Sequence, residues 1–391
     1  MSDQQPPDHA NFQLEVYVGR LADQLPTLPF TYPEWEEQAR EELDAEAYGY
    51  VAGGAGLERT MAANLRAFDR WQFLPRMMRD VSNRDPRVEL FGHTMPAPVL
   101  LAPVGVQGIV HPEGEVASAK AAADLGLTAI QSTAASKSME DVAEATGDAP
   151  RWFQLYWPSD RNVAASMVRR AVAAGYQAIV VTLDTKFLAY RPRDLRTAYL
   201  PFLHQEGVVN WFTDDAFRAG LQESPEDNPQ MAVLHWAAMF ADKTLTWDDL
   251  TWLREQTDLP ILVKGIEHPL DAAEAVTHGA DGIVVSNHGG RQVDGAVGSL
   301  DMLPACVAAV GPDVPVLFDS GIRSGADVAK AVALGARAVL VGRPWCWGLA
   351  LDGQAGVRHV LRCLLAEYVL TLSLTGLTAT SQLDRNLLQP A

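Results

Sequence analysis

His288 is the residue with which this chain could move a proton. It stands in the stretch Ser286-Asn287-His288-Gly289-Gly290-Arg291-Gln292, and an imidazole with an ordinary pKa of about 6.5 accepts a proton at neutral pH. Asp184, at the end of an apolar run, is placed to stabilise the imidazolium that results. Arg291, three residues after His288, and Arg191 could together clamp a carboxylate through paired N–H groups. Lys264 has two readings, a fixed cation beside an electron-rich ring or an amine that forms a Schiff base.

A second anion site is written in glycine and arginine. Ser320-Gly321-Ile322-Arg323-Ser324-Gly325 and, further on, Gly342-Arg343 suit a phosphate monoester, because glycine turns and a helix N-terminus aim backbone N–H groups at one point. These cations stand out against the whole, which carries 31 Lys+Arg against 49 Asp+Glu, a net charge of −18. That balance argues against nucleic acid or an anionic membrane surface as partner, and any bound anion must be gripped locally. Cys306, Cys346 and Cys363 have no metal spacing and read as small buried residues in a reducing cytosol. No metal site is expected. The N-terminus lacks the basic and apolar regions of a signal peptide, and no apolar run reaches the roughly 18 residues of a membrane span. A soluble, cytoplasmic protein is expected.

The elements that would position these residues recur along the chain. Eight apolar runs lie at 99–103, 128–132, 152–156, 178–184, 261–265, 282–290, 315–321 and 338–344, each followed by a loop and usually an Ala-rich amphipathic stretch. Unbroken apolar runs mean strands buried on both faces, with helices as the covering layer. Eight such units predict a (β/α)8 barrel, whose active face is built from the loops after the strands. Polar residues cluster there: Gln154 and Tyr156 at strand three, Thr182 and Asp184 at four, Lys264 at five, Ser286 and His288 at six, Asp319 at seven. The reading is one domain, 1–391. Residues 1–95 form an N-terminal helical cap, including 33–56, and 96–391 form the barrel. An insertion after strand four, about 186–245, is rich in turn formers and aromatics and reads as a lid over the active face.

With SNHGGRQ, LVKG, TLDT…RPRD, FDSGIRSGADV and VGRP in place, the chain resembles the FMN-dependent α-hydroxy-acid oxidase and dehydrogenase family from about Tyr32 to the C-terminus. The resemblance implies FMN as cofactor and a small 2-hydroxy acid as substrate. His288 would be the base at the substrate α-carbon, oriented by Asp184, with Arg191, Arg291 and Tyr50 on the carboxylate and Tyr156 near the hydroxyl. The flavin would rest on Ala102, Pro103, Val104 and Gly105, with Ser132, Gln154, Thr182 and Ser286 around the ring. Lys264 would stabilise negative charge on the ring. Asp319, Ser320, Gly321, Arg323, Gly342 and Arg343 would hold the ribityl chain and phosphate. No haem domain is expected ahead of the barrel, and the terminal LLQPA is not a peroxisomal address.

One departure bears on the reaction. Gly105 stands where these oxidases commonly carry alanine, and with TLDT…YRPRDL and the insertion it makes the chain look most like the lactate 2-monooxygenases. That resemblance implies L-lactate plus dioxygen giving acetate, carbon dioxide and water. The alternative is an L-lactate or broader L-2-hydroxy-acid oxidase that releases the keto acid and hydrogen peroxide. Ala134 leaves room for the substrate side chain, while Lys186, Phe187 and Tyr190 could refill it. Relatives imply a homo-oligomer, tetramer or octamer.

Overall fold

Each of the eight apolar runs is a strand, and the strands close on one another. In a computed structural model, which describes residues 9–391, they are β1 (Val99–Leu101), β2 (Thr128–Ser132), β3 (Arg151–Leu155), β4 (Ile179–Thr182), β5 (Ile261–Ile266), β6 (Gly282–Val285), β7 (Val316–Phe318) and β8 (Ala338–Val341). All neighbours are parallel, and β8 returns to β1 with Leu340 opposite Leu100, so the sheet has no edge. This is the (β/α)8 barrel that the run count predicts. Where a strand is shorter than its run, as for β4, β6, β7 and β8, the last residues of the run already belong to the loops of the active face.

The barrel interior is filled by inward side chains, from Leu100 on β1 through Val180 on β4 to Leu340 on β8. A hairpin of Val88–Leu90 and His93–Met95 plugs the end where strands begin, with Phe91 against Trp152 at 5.9 Å between ring centroids. The other end is free to hold a ligand. A second, larger core lies between strands and outer helices. Its longest member is the helix Arg343–Leu374, kinked at Asp352 and Gly353. Cys306 and Cys346 are buried and Cys363 is half-buried, all as free thiols.

The N-terminal segment is not one helix. Thr31 and Glu34 form a capping box that starts Tyr32–Glu42, but Asp44 then accepts a hydrogen bond from the Ala47 N–H at 2.7 Å and begins a new helix, Ala45–Ala52. A further helix, Arg59–Asp69, follows. The first eight residues of the expected cap lie outside the described residues. Among those described, no helix is long and apolar enough to cross a membrane.

The chain between β4 and β5 folds into short helices, including Pro192–Thr197, Val209–Phe212, Asp215–Arg218 and Pro229–Met239. They hold together through aromatic rings, with Phe202 and Trp236 4.6 Å and Trp236 and Phe240 5.0 Å apart between centroids. Asn210, fully buried, ties the insert to the barrel by donating to the carbonyls of Ser132 and Thr133 and accepting from the Met139 N–H.

Candidate active site

The strand-end residues converge. Ala102, Pro103, Val104 and Gly105 after β1, Tyr156 after β3, and Thr182 on β4 line one cavity of about 390 Å³. Lys264, His288 and Arg291, then Asp319, Ser320, Gly321 and Arg323, then Gly342 and Arg343 complete its wall. Tyr50 enters from the N-terminal segment and Arg191 from the insert. Asp184, Ser132, Gln154 and Ser286 sit in a layer that supports this lining.

His288 Nδ1 lies 2.8 Å from Asp184 Oδ1, and both side chains are largely shielded from solvent. Burial acts on both groups, and its effect differs in sign. It pushes the imidazole pKa down, Lys264 and Arg191 push it further, and Asp184 only partly restores it. Burial opposes ionisation of Asp184, yet the charge and hydrogen bond from His288, together with Lys264, hold its carboxyl below the ordinary range. The resting pair is thus a carboxylate beside a neutral imidazole, whose Nε2 is left to accept a proton. Replacing Asp184 by Asn removes the main influence that raises the histidine. The His288 pKa, followed by NMR titration of its ring, is expected to fall further in Asp184→Asn, and a rise would overturn this account of the pair.

Lys264 resolves its two readings. Its ammonium forms an ion pair with Asp319 at 2.8 Å and donates to Ser286 Oγ at 2.9 Å. Burial works against the charge, but Asp319 and Asp184 outweigh it and raise the lysine pKa above its ordinary value. A permanently charged ammonium is a fixed cation and a poor Schiff-base nucleophile.

The two arginines expected to clamp a carboxylate face the cavity together. Arg191 donates to the Arg291 carbonyl at 3.1 Å and to Gln292 Oε1 at 2.8 Å. Arg291 donates to the carbonyls of Tyr50 and Gly53 and stacks over the Tyr50 ring at 5.1 Å. Burial, followed by repulsion from Arg191, pushes the Arg291 pKa down to about 9, the signature of a cationic pocket made for an anion. Burial also raises the Tyr156 phenol, and the negative charge of Asp184 adds to that, so Tyr156 keeps its proton as a donor.

The phosphate region differs from expectation in one respect. The N–H groups of Arg323 and Ser324 are both taken by Asp327 Oδ2 at 3.0 Å, and that of Gly325 by Glu367 at 2.7 Å. The helix after β7 therefore caps itself with its own carboxylate and offers no free N-terminus. The turn at Gly321, with φ +103°, and the Gly342-Arg343 start of the last helix are what remain to face an anion. Arg343 reaches the carbonyls of Val51, Gly53 and Gly289 with its guanidinium, knitting the N-terminal segment to the β6 loop.

Several features were not foreseen from sequence. Glu115, fully buried, accepts from the N–H groups of Gln107, Ser136 and Lys137 and so fastens the loops after β1 and β2; burial raises its pKa to about 7. Trp236, Phe240 and Lys243 of the insert line the cavity, where the only sequence signal was aromatic density. Lys186 and Phe187 line it as expected, whereas Tyr190 is exposed and does not.

Residues 39–390 match the family model described as FMN-dependent dehydrogenase. The chain belongs to that family. It is 44% identical over 385 residues to an FMN-dependent alpha-hydroxy acid dehydrogenase of Schizosaccharomyces pombe, covering 96% of this chain and 95% of the relative. It is 44% identical over 365 residues to an L-lactate oxidase of Lysinibacillus sphaericus, covering 93% and 94%. A crystal structure of mandelate oxidase with (S)-4-hydroxymandelic acid aligns at TM-score 0.82 and 41% identity, over 93% of this chain and 99% of the other. FMN is the cofactor of this family member. The residues fit it: Gln154 Nε2 and Arg323 Nε are buried donors without a partner, and Gly105 has no room for a side chain, since a Cβ there would meet the Ala134 carbonyl oxygen at 2.7 Å. A flavin offers acceptors for the two donors and needs backbone close by.

Proposed function

We propose that this FMN-dependent α-hydroxy-acid oxidoreductase acts on L-lactate and dioxygen and yields acetate, carbon dioxide and water. The observation that carries the reading is an aromatic wall: Phe202, Trp236 and Phe240 of the insert line the same cavity that His288, Tyr156 and Arg291 line, and Tyr156 and Phe240 are 5.1 Å apart between centroids. Arg191 and Arg291 hold the carboxylate with Tyr50 beside them, and Tyr156 donates to the substrate hydroxyl. His288 receives a proton at Nε2 as the α-carbon is oxidised, and Asp184 stabilises the imidazolium. Gln154, Ser132 and Thr182 would hold the flavin ring, Lys264 would supply a positive charge beside it, and Arg323, Gly321, Gly342 and Arg343 would hold the phosphate. Held by these residues, FMN would supply the two-electron acceptor for the hydroxy acid and the donor to dioxygen.

Pyruvate and hydrogen peroxide held together beside this aromatic wall would meet at high effective concentration, and their reaction gives acetate, carbon dioxide and water. Slow release of the keto acid thus decides between the two outcomes. Product analysis under air tests this: acetate and carbon dioxide in equal amounts without free peroxide are expected, whereas stoichiometric pyruvate and peroxide would make the enzyme an L-2-hydroxy-acid oxidase. The aromatic wall and the likeness to mandelate oxidase favour one second reading, an aryl hydroxy acid as substrate. A higher kcat/KM for (S)-mandelate than for L-lactate would establish it. The free thiols of Cys306, Cys346 and Cys363 support a reducing, cytoplasmic setting.

A further inference from the structure

Ser320 is held in a backbone conformation that serine rarely adopts. Its φ is +82°, in the region open to glycine and disfavoured for residues with a side chain. Strain of this kind persists only where surrounding contacts impose it. The contacts are on the hydroxyl. Ser320 Oγ donates to Asp319 Oδ1 at 2.8 Å and accepts from the N–H of Gly289 at 3.0 Å and of Asn287 at 3.4 Å.

Those two N–H groups flank His288, which is itself left-handed at φ +58° and is followed by Gly289 at +65° and Gly290 at +75°. The same turn is tied from its other side. The His288 N–H donates to Ser286 Oγ at 3.0 Å, and Ser286 Oγ accepts from Lys264, which pairs with Asp319. The contacts form a closed circuit: the β6 turn, Ser286, Lys264, Asp319, Ser320 and the β6 turn again. Three strands meet in it, and Ser320 is its one link between the β7 loop and the backbone of the turn. From behind, Asn287 pairs with Asn64 through two amide hydrogen bonds of 2.8 Å, so the turn is held from that side as well.

We propose that Ser320 is a positioning residue, whose hydroxyl couples the Lys264–Asp319 ion pair to the turn that presents His288. The inference rests on the reading of His288 as the base. Without the hydroxyl, the imidazole keeps Asp184 but loses the brace that sets the height of its backbone, and proton transfer is sensitive to such displacements.

Ser320→Gly is the decisive variant because glycine relaxes the strained φ while deleting the hydroxyl. The hydroxyl is spent on Asp319 and on the N–H groups of Asn287 and Gly289, so the expected results are the same FMN content per chain and the same lactate Kd within twofold. Anaerobic flavin reduction should be about tenfold slower. Lost FMN would mean that Ser320 serves the cofactor and would overturn the proposal, as would an unchanged reduction rate. The parent enzyme separates the two readings: if no 2-hydroxy acid reduces its flavin, the catalytic reading itself falls. Reduction of the parent that His288→Gln abolishes and Ser320→Gly leaves untouched defeats only the proposal made here.

Discussion

Replacing His288 by Gln is expected to leave a yellow, FMN-loaded protein whose colour L-lactate bleaches at least about a hundredfold more slowly in the absence of oxygen. Glutamine approximates the length of the imidazole and retains an amide that can donate to Asp184. It cannot accept a proton near neutral pH. The loss therefore isolates the base from the scaffold. The pH dependence of the parent follows from the direction of the His288 shift. The neutral ring is the working form, so the reduction rate should be flat through neutrality and fall only on the acid side, below the ordinary histidine range. A rate in His288→Gln within tenfold of the parent would place the base elsewhere.

Arg291→Met should show the second large effect, a fall in kcat/KM for lactate of about 30-fold to several thousandfold. Removing one partner of a buried, hydrogen-bonded charge pair costs about 2–5 kcal/mol, at about 1.4 kcal/mol for each factor of ten. Methionine preserves the apolar stem, so the cavity keeps its volume while losing the guanidinium that burial and Arg191 hold under electrostatic stress. The deficit should fall mainly on the lactate Kd measured from the concentration dependence of flavin reduction. An unchanged Kd would remove the substrate carboxylate from Arg291. Lysine is not an adequate substitute, because it cannot donate through two parallel N–H groups while also holding the carbonyls of Tyr50 and Gly53.

The barrel was legible in the sequence because a parallel strand buried on both faces leaves an unbroken apolar run. The polar residues that end each run, from Tyr156 to Asp319, could be placed on the active face by that fact alone. What was not legible depends on contacts between distant segments. No local pattern says that Asp327 and Glu367 consume the N–H groups at 323–325, or that Glu115 fastens two loops. The break at Asp44 was readable as a helix cap but is hidden inside a helical composition. In the insert, short helices held by Trp236, Phe202 and Phe240 have too few turns to show a period. The left-handed φ of Ser320 is invisible too, since nothing in its neighbours demands it.

The cavity gathers Arg191, Arg291, Arg323, Arg343 and Lys264 in a chain that is otherwise strongly acidic, and Arg343, like Arg291, is pushed down, to about 10, by burial and then by a neighbouring arginine, Arg323. Mutual repulsion among buried cations works against folding, and anions that bind only the folded state offset it. A ligand present at a thousand times its Kd adds about 4 kcal/mol to stability, a large share of the margin of an ordinary domain. A flavin phosphate held by Arg323 and Arg343, as proposed above, would thus be part of the thermodynamic definition of the native chain. In a cell, riboflavin supply would set how much of the protein survives proteolysis as well as how much of it is active.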